Sequence, residues 1–149
     1  MSEPKALRLI ARDADDLKVV SACLQDALVP VSDIAWLREE GQLALAVNRF
    51  MWERAPEHLG PGQFYHRTHA LIRIDGVSAV RSRGYDRRQR ADILSLLSLQ
   101  PVDAGVEMLF ANGAAIHVTL DPLVLTLADM ASPWPTRWRP DHADADPIA

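Results

Sequence analysis

With 48% hydrophobic and 24% charged residues, the 149-residue chain has the balance of one globular core, which at this length buries roughly two-thirds of its surface on folding. A formal net charge of −4 removes the basic excess that draws nucleic acid or an anionic membrane surface. The single cysteine, Cys23, rules out an intrachain disulfide, the N-terminus carries no apolar signal region and no run reaches the ~18 apolar residues of a membrane span. A reducing, cytoplasmic setting is therefore expected.

In chain order, Leu7–Ala11 reads as a short apolar strand, and Asp13 to Asp16 then supplies a helix start with carboxylates in the first turn. Leu17, Val20, Leu24, Ala27 and Leu28 fall on one helical stripe, which Pro30 should end. Ile34–Leu37 and Leu43–Trp52 form a hairpin across Glu39–Gln42 that sets Ile34, Trp36, Leu43, Leu45 and Val47 on one face. The prolines and glycines of Ala55–Gly62 predict an exposed loop, after which Phe64–Ile74 and Val77–Ser82 return to strand on either side of Asp75-Gly76. Ile93–Leu99, Ile-Leu-Ser-Leu-Leu-Ser-Leu, fits a strand buried on both faces or a helix with serines at a three-residue spacing, and its length favours the strand.

The sharpest pattern is Val106–Leu120, V-E-M-L-F-A-N-G-A-A-I-H-V-T-L. A two-residue turn at Asn112-Gly113 would scatter its apolar residues over both faces, whereas a three-residue loop over Ala111–Gly113 opposes Phe110 to Ala114, Met108 to Ile116 and Val106 to Val118. Glu107 then faces His117 on the other side. Asp121-Pro122 resembles a helix N-cap with proline in the first turn, which predicts a short helix over Leu123–Met130, although Leu123, Leu125 and Leu127 alternate as in a strand. Pro133, Pro135, Pro140 and Pro147 argue against regular structure beyond it. The expected fold is α+β: an antiparallel sheet or partly open barrel of about six or seven strands, an N-terminal amphipathic helix and a short C-terminal helix, pleckstrin-homology-like by analogy. One domain over 1–140 and a mobile acidic tail over 141–149 complete the expectation.

Three constellations could carry binding. Arg81–Arg90, R-S-R-G-Y-D-R-R-Q-R, offers Arg81, Arg83, Arg87 and Arg88 to an anion with Tyr85 as a stacking surface; the plainer alternative is a solvated tip balanced by Asp75, Asp86 and Asp92. Arg49 and Glu53 end a strand among Phe50 and Trp52, either as a surface pair or, gathered with Arg81 and Arg83, as an anion site. Trp134 and Trp138, in P-W-P-T-R-W-R-P, either fasten the tail to its own domain or present it to a partner or second copy. His66 and His69 lie three apart and so face opposite sides of a strand, and with His58 they make a poor metal set; neither a metal nor a cofactor is expected. Glu107 with His117 needs no catalytic explanation. The serines lack a nucleophile elbow, Cys23 on its apolar stripe is inert, and no glycine-rich phosphate loop occurs, so no catalytic residue is assigned.

Leu24-Gln-Asp-Ala27, Asn48-Arg-Phe-Met-Trp-Glu53, Val80-Arg-Ser-Arg-Gly84, Ile93-Leu-Ser-Leu-Leu-Ser98 and the tryptophan tail resemble a family of short alphaproteobacterial proteins designated domain of unknown function 2948. The similarity runs over nearly the whole chain apart from Ala55–Gly62 and the final acidic residues. It implies a bacterial, cytosolic, stand-alone domain and brings no catalytic residue. A non-enzymatic protein-binding or adaptor module is the expected function, with a small-molecule anion-binding protein or small enzyme with an arginine-lined site as the alternative. A protein partner, a second copy or a small anion fits these features better than nucleic acid, and no membrane contact is expected.

Overall fold

A computed structural model describes residues 6–140. Asp13 accepts a hydrogen bond from Asp16 N–H at 2.8 Å and starts α1 (Ala14–Cys23), with Asp15 and Asp16 at the positive end of the helix dipole. The remaining elements are strands joined by turns and 3-10 segments: β1 (Arg8–Ala11), β2 (Ala27–Pro30), β3 (Ile34–Leu37), β4 (Gln42–Phe50), β5 (Tyr65–Ile74), β6 (Val77–Arg83), β7 (Ile93–Val102), β8 (Gly105–Phe110), β9 (Ala115–Leu120), β10 (Leu125–Asp129) and β11 (Trp134–Thr136).

All eleven strands belong to one antiparallel sheet in the order β1-β10-β5-β4-β2-β7-β8-β9-β6, with β3 also on β4 and β11 also on β5. The long pair β4–β5 is the spine of one half, and β7, β8 and β9 form the other. The halves are linked through β2, which pairs with β7 along four residues but is in ladder register with β4 only at Leu28, opposite Asn48. A narrow joint of this kind lets the sheet curl. The inward stripes of β4 (Leu43, Leu45, Val47), β5 (Ala70, Ile72, Ile74) and β10 (Leu125, Leu127) meet those of β8 (Val106, Met108, Phe110) and β9 (Ile116, Val118) in a single core. Leu17 and Val20 of α1 and Leu24, which caps it, join the core, and α1 packs on β1 and β7.

The β8–β9 hairpin has the register its alternation demands. Ala111–Gly113 is the three-residue connection, Phe110 N–H donates to Ala114 O at 2.9 Å, Met108 opposes Ile116, Val106 opposes Val118 and Glu107 opposes His117. The predicted fold class is otherwise corrected. Among the described residues there are eleven strands rather than about six or seven and one α-helix rather than two, and the sheet is open. Leu123–Met130 is no C-terminal helix, because its alternating leucines fill the slot between β1 and β5, where Leu127 faces both Leu9 and Ile72. Asp121-Pro122 is a turn, and the slot's free ladder positions outweigh its helix-start chemistry.

The helix expected to run to Pro30 ends at Cys23; Ala27 and Leu28 lie instead on β2, a gap-filling strand whose register is set by β7. The proline-rich tail does form structure, since β11 lies against β5 with Pro135 opposite His66, a sheet-edge position at which a missing N–H is tolerated. The acidic tail over 141–149 lies outside the described residues.

Candidate functional site

The curl brings β6 alongside the β3–β4 hairpin without joining them. At one end Val77 N–H donates to Gly41 O at 2.8 Å, and beyond that point β6 pairs with β9 alone and β3 with β4 alone. The remaining gap is a cleft of about 460 Å³, floored by Val31, Ile34, Leu43, Val80 and Ile116 and flanked by Trp36 and Tyr85. It is the seam at which the sheet fails to close.

The edge of β6 along this seam carries unsatisfied backbone. Phe110 N–H bonds to Ala114 O and Leu120 N–H to Ala104 O at 3.0 Å, so Ile116 and Val118, in phase with them, turn their backbone groups toward β8. His117 and Thr119 must then serve β6, through Arg81 and Ala79. By the same alternation the N–H and C=O of Val80 and Ser82 point into the seam, where neither has a hydrogen-bond partner among the described residues.

Arg38, Arg81, Arg87 and Arg90 all line this cleft. Among the described residues Arg38, Arg81 and Arg87 make no ion pair or side-chain hydrogen bond, and Arg90 only reaches the Ser32 carbonyl at 3.2 Å. No carboxylate, histidine or thiol is among the lining residues. Arg38, Arg87 and Arg90 border the apolar, aromatic-flanked floor, and Arg81 stands at its rim on the outward face of β6, an arrangement whose chemistry can pair with an anion that has an apolar body.

Not all the arginines expected at an anion site are there. Arg88 is held by Asp86 at 3.2 Å, which lowers the Asp86 carboxyl pKa from its ordinary value, and Arg83 sits 3.6 Å from Glu107 on the outer face, where His117 is 3.7 Å from the same carboxylate. Asp75 is occupied by Arg73 and Gln42. Of the Arg81–Arg90 cluster, then, Arg81, Tyr85, Arg87 and Arg90 line the cleft, and Asp86 hydrogen-bonds Arg88 while also feeling the charge of Arg87.

Arg49 and Glu53 stand apart from this site. Arg49 continues the inward stripe of β4 and is 0% exposed; its Nε and Nη2 donate to Asp129 at 2.9 and 3.0 Å, and its Nη1 and Nη2 donate to Glu53 at 2.9 and 2.8 Å. The hydrogen bonds use four of the five guanidinium N–H groups on two carboxylates, and with Arg49 fully buried this pair is a clamp at the core's edge rather than the surface pair or anion site expected of it. These carboxylates also act on Cys23, whose thiol pKa is raised first by burial and then by Glu53.

The tail is fastened to its own domain. Trp134 stacks on His69 with ring centroids 4.9 Å apart, and Arg139 lies 5.5 Å from the Trp52 ring centre, while Trp138 is 72% exposed. His66 and His69 come no nearer to a metal set: no cluster of three ligating side chains exists among the described residues. The sequence reading missed Trp36, Arg38 and Asp129, whose roles arise only where distant strands meet.

With this geometry in hand, comparison with known proteins adds little chemistry. A family model described as "Protein of unknown function (DUF2948)" matches residues 7–142. No curated protein and no solved structure matches the chain.

Proposed function

The chain belongs to the DUF2948 family of proteins of unknown function, and from that premise we propose that it is a non-enzymatic binding module that holds an acidic protein partner in the arginine-lined seam. The carrying observation is that Arg38, Arg81 and Arg87, without ion-pair partners among the described residues, line or rim a cleft with an apolar floor. Unpaired guanidinium groups around an uncharged floor favour an anionic occupant, and a lining without carboxylate, histidine or thiol favours binding over turnover.

The cleft's volume of about 460 Å³ also suits a small amphipathic anion, and this is the second reading. A bacterial, cytoplasmic setting is part of the proposal. It is supported by the family resemblance and the unpaired Cys23; no helix among the described residues is long and apolar enough to cross a membrane.

The test is calorimetric titration of the full chain with an acidic peptide, with pyrophosphate and with a single-stranded RNA, alongside the double variant Arg81→Glu/Arg87→Glu. Peptide binding that falls at least about tenfold in the variant, with the unfolding midpoint kept, is the expected result. Equal affinity of wild type and variant for every probe overturns the seam as the site. Tighter binding of pyrophosphate than of peptide favours the second reading, and tighter binding of RNA overturns the proposed protein partner.

A further inference from the structure

Resting on the reading of the seam as an anion site, we propose that its occupant is an extended acidic segment of a partner protein that adds to the sheet as a strand against β6.

Two independent features of β6 carry this. The N–H and C=O of Val80 and Ser82 face the seam without partners, as set by the β8–β9–β6 hydrogen-bond phase, and strand addition is the recognition mode that satisfies such an edge. The side chains supply the selectivity. Val80 is half-buried against the core on the cleft side, whereas exposed Arg81 and Arg83 alternate with Val80 and Ser82 and belong to the opposite face. An added strand therefore places apolar side chains over the floor at every second residue and a carboxylate opposite Arg81 between them, Arg83 being already paired with Glu107. The preferred ligand is an alternating apolar-acidic segment, and Arg38, Arg87 and Arg90 lie along the same cleft to hold its remaining charges.

The same arginines disfavour a second copy of this chain. Antiparallel pairing of two β6 strands would set Arg81 and Arg83 of one copy against those of the other, and like charges across a ladder are repelled. Ser82 and Ala79 are small and exposed on this edge.

The probe is an acetylated, amidated peptide of about eight residues in the pattern Val-Glu-Val-Glu, prepared also in two forms that carry N-methyl groups on one or the other alternate set of amides. Hydrogen exchange of the Val80 and Ser82 amides is followed in the full chain. Strand addition requires that the parent peptide slow exchange at both amides by at least about tenfold, and that one methylated form lose binding by a similar factor while the other keeps it. Ser82→Pro removes a seam-facing donor and leaves the Arg81 and Arg83 bonds to β9, so it should weaken the peptide about fivefold with β9 amide protection unchanged. Should this variant unfold, the pair of methylated peptides still decides. Equal binding of both methylated forms, or binding without protection at Val80 and Ser82, overturns strand addition and leaves the anion site standing. Failure of all the peptides, with pyrophosphate indifferent to Arg81→Glu/Arg87→Glu, overturns both.

Discussion

Arg49 and Asp129 come from strands on opposite sides of β5 and meet across it, through hydrogen bonds of 2.9 and 3.0 Å. Each extends an inward apolar stripe by one step, Arg49 after Leu43, Leu45 and Val47 and Asp129 after Leu125 and Leu127. The residue opposite both Val47 and Asp129 on β5 is Ala70, whose small side chain leaves room for the two charges to join. With the Arg49 side chain 0% and the Asp129 side chain 2% exposed, removing one partner strands the other in the core. Asp129→Ala should cost about 3–5 kcal/mol in denaturant unfolding. The double variant Arg49→Met/Asp129→Leu should recover part of that loss, since Glu53 is a third exposed and can be solvated, whereas the Leu7 N–H that donates to Asp129 Oδ2 at 2.8 Å loses its acceptor. A double variant no more stable than Asp129→Ala would show that the pair does more than satisfy itself.

The tail separates its two tryptophans. Trp134 is paired through β11 with Arg67 and stacks on His69, whereas Trp138 lies open to water. Trp134→Ala should lower stability by about 1–3 kcal/mol and Trp138→Ala by less than about 0.5 kcal/mol, both read from chemical denaturation. If Trp138→Ala leaves both stability and peptide binding unchanged, its ring has no part in the seam; a loss of peptide binding would place a second contact surface at the opposite end of β5.

Local rules made the hairpins legible. Alternation in Val106–Leu120 gave register, loop length and the Glu107–His117 pair because each depends on residues close in sequence. The same rules could not see that Leu123–Asp129 would be drawn into a slot between β1 and β5, or that Ala27–Pro30 would leave a helical stripe to bridge two half-sheets. The arginine cluster was visible as charge. Its division was not: Asp86 and Glu107 neutralise Arg88 and Arg83, while Arg38 arrives from a hairpin tip over forty residues earlier, brought by the curl that sets Gly41 against Val77. Arg49 shows the limit most clearly, since a guanidinium at the end of a strand reads as a surface charge until Asp129 is placed beside it.

Cys23 offers a pH test of the clamp's surroundings. Burial, then the Glu53 charge, raises its thiol pKa above the ordinary value of 9.0 in the folded state. The folded chain thus holds its proton more tightly than the unfolded one, so this contribution is fully present below about pH 9 and is lost as the pH rises through the folded value. Urea midpoints should decline above pH 9 more steeply in wild type than in Cys23→Ser. Alkylation by iodoacetamide at pH 8 should be slower than for free cysteine, and faster in Glu53→Gln, where one source of the shift is gone. Labelling at the free-cysteine rate would contradict the burial.

Gly84 couples the end of β6 to the arginine loop. Its φ is +82°, and an added Cβ would stand 2.5 Å from the Gly113 carbonyl oxygen in the β8–β9 connection. Neither the backbone conformation nor the contact leaves room for a side chain. Gly84→Ala should therefore destabilise the chain by about 1–3 kcal/mol. It should also weaken acidic-peptide binding while removing no charge, because Tyr85 and Arg87 follow directly and their place in the cleft depends on this turn. Unaltered peptide affinity in a folded Gly84→Ala would show that the loop finds the cleft without it.

Arg38 provides the cleanest separation of binding from folding. It lies in the turn after β3 and is exposed, and its side chain makes no hydrogen bond or ion pair among the described residues, so that side chain contributes little to the native state. Arg38→Ala should leave the unfolding free energy within about 0.5 kcal/mol of wild type. Its effect on an acidic peptide should be severalfold at low salt and should fade as added salt cuts the screening length from ~8 Å at physiological strength to ~3 Å at 1 M. A Val80- and Ser82-centred backbone contact has no such dependence, so the peptide affinity that survives in high salt should be the same for wild type and Arg38→Ala. If the two proteins instead differ by a constant factor at every salt concentration, Arg38 acts by packing or by shaping the hairpin rather than by charge.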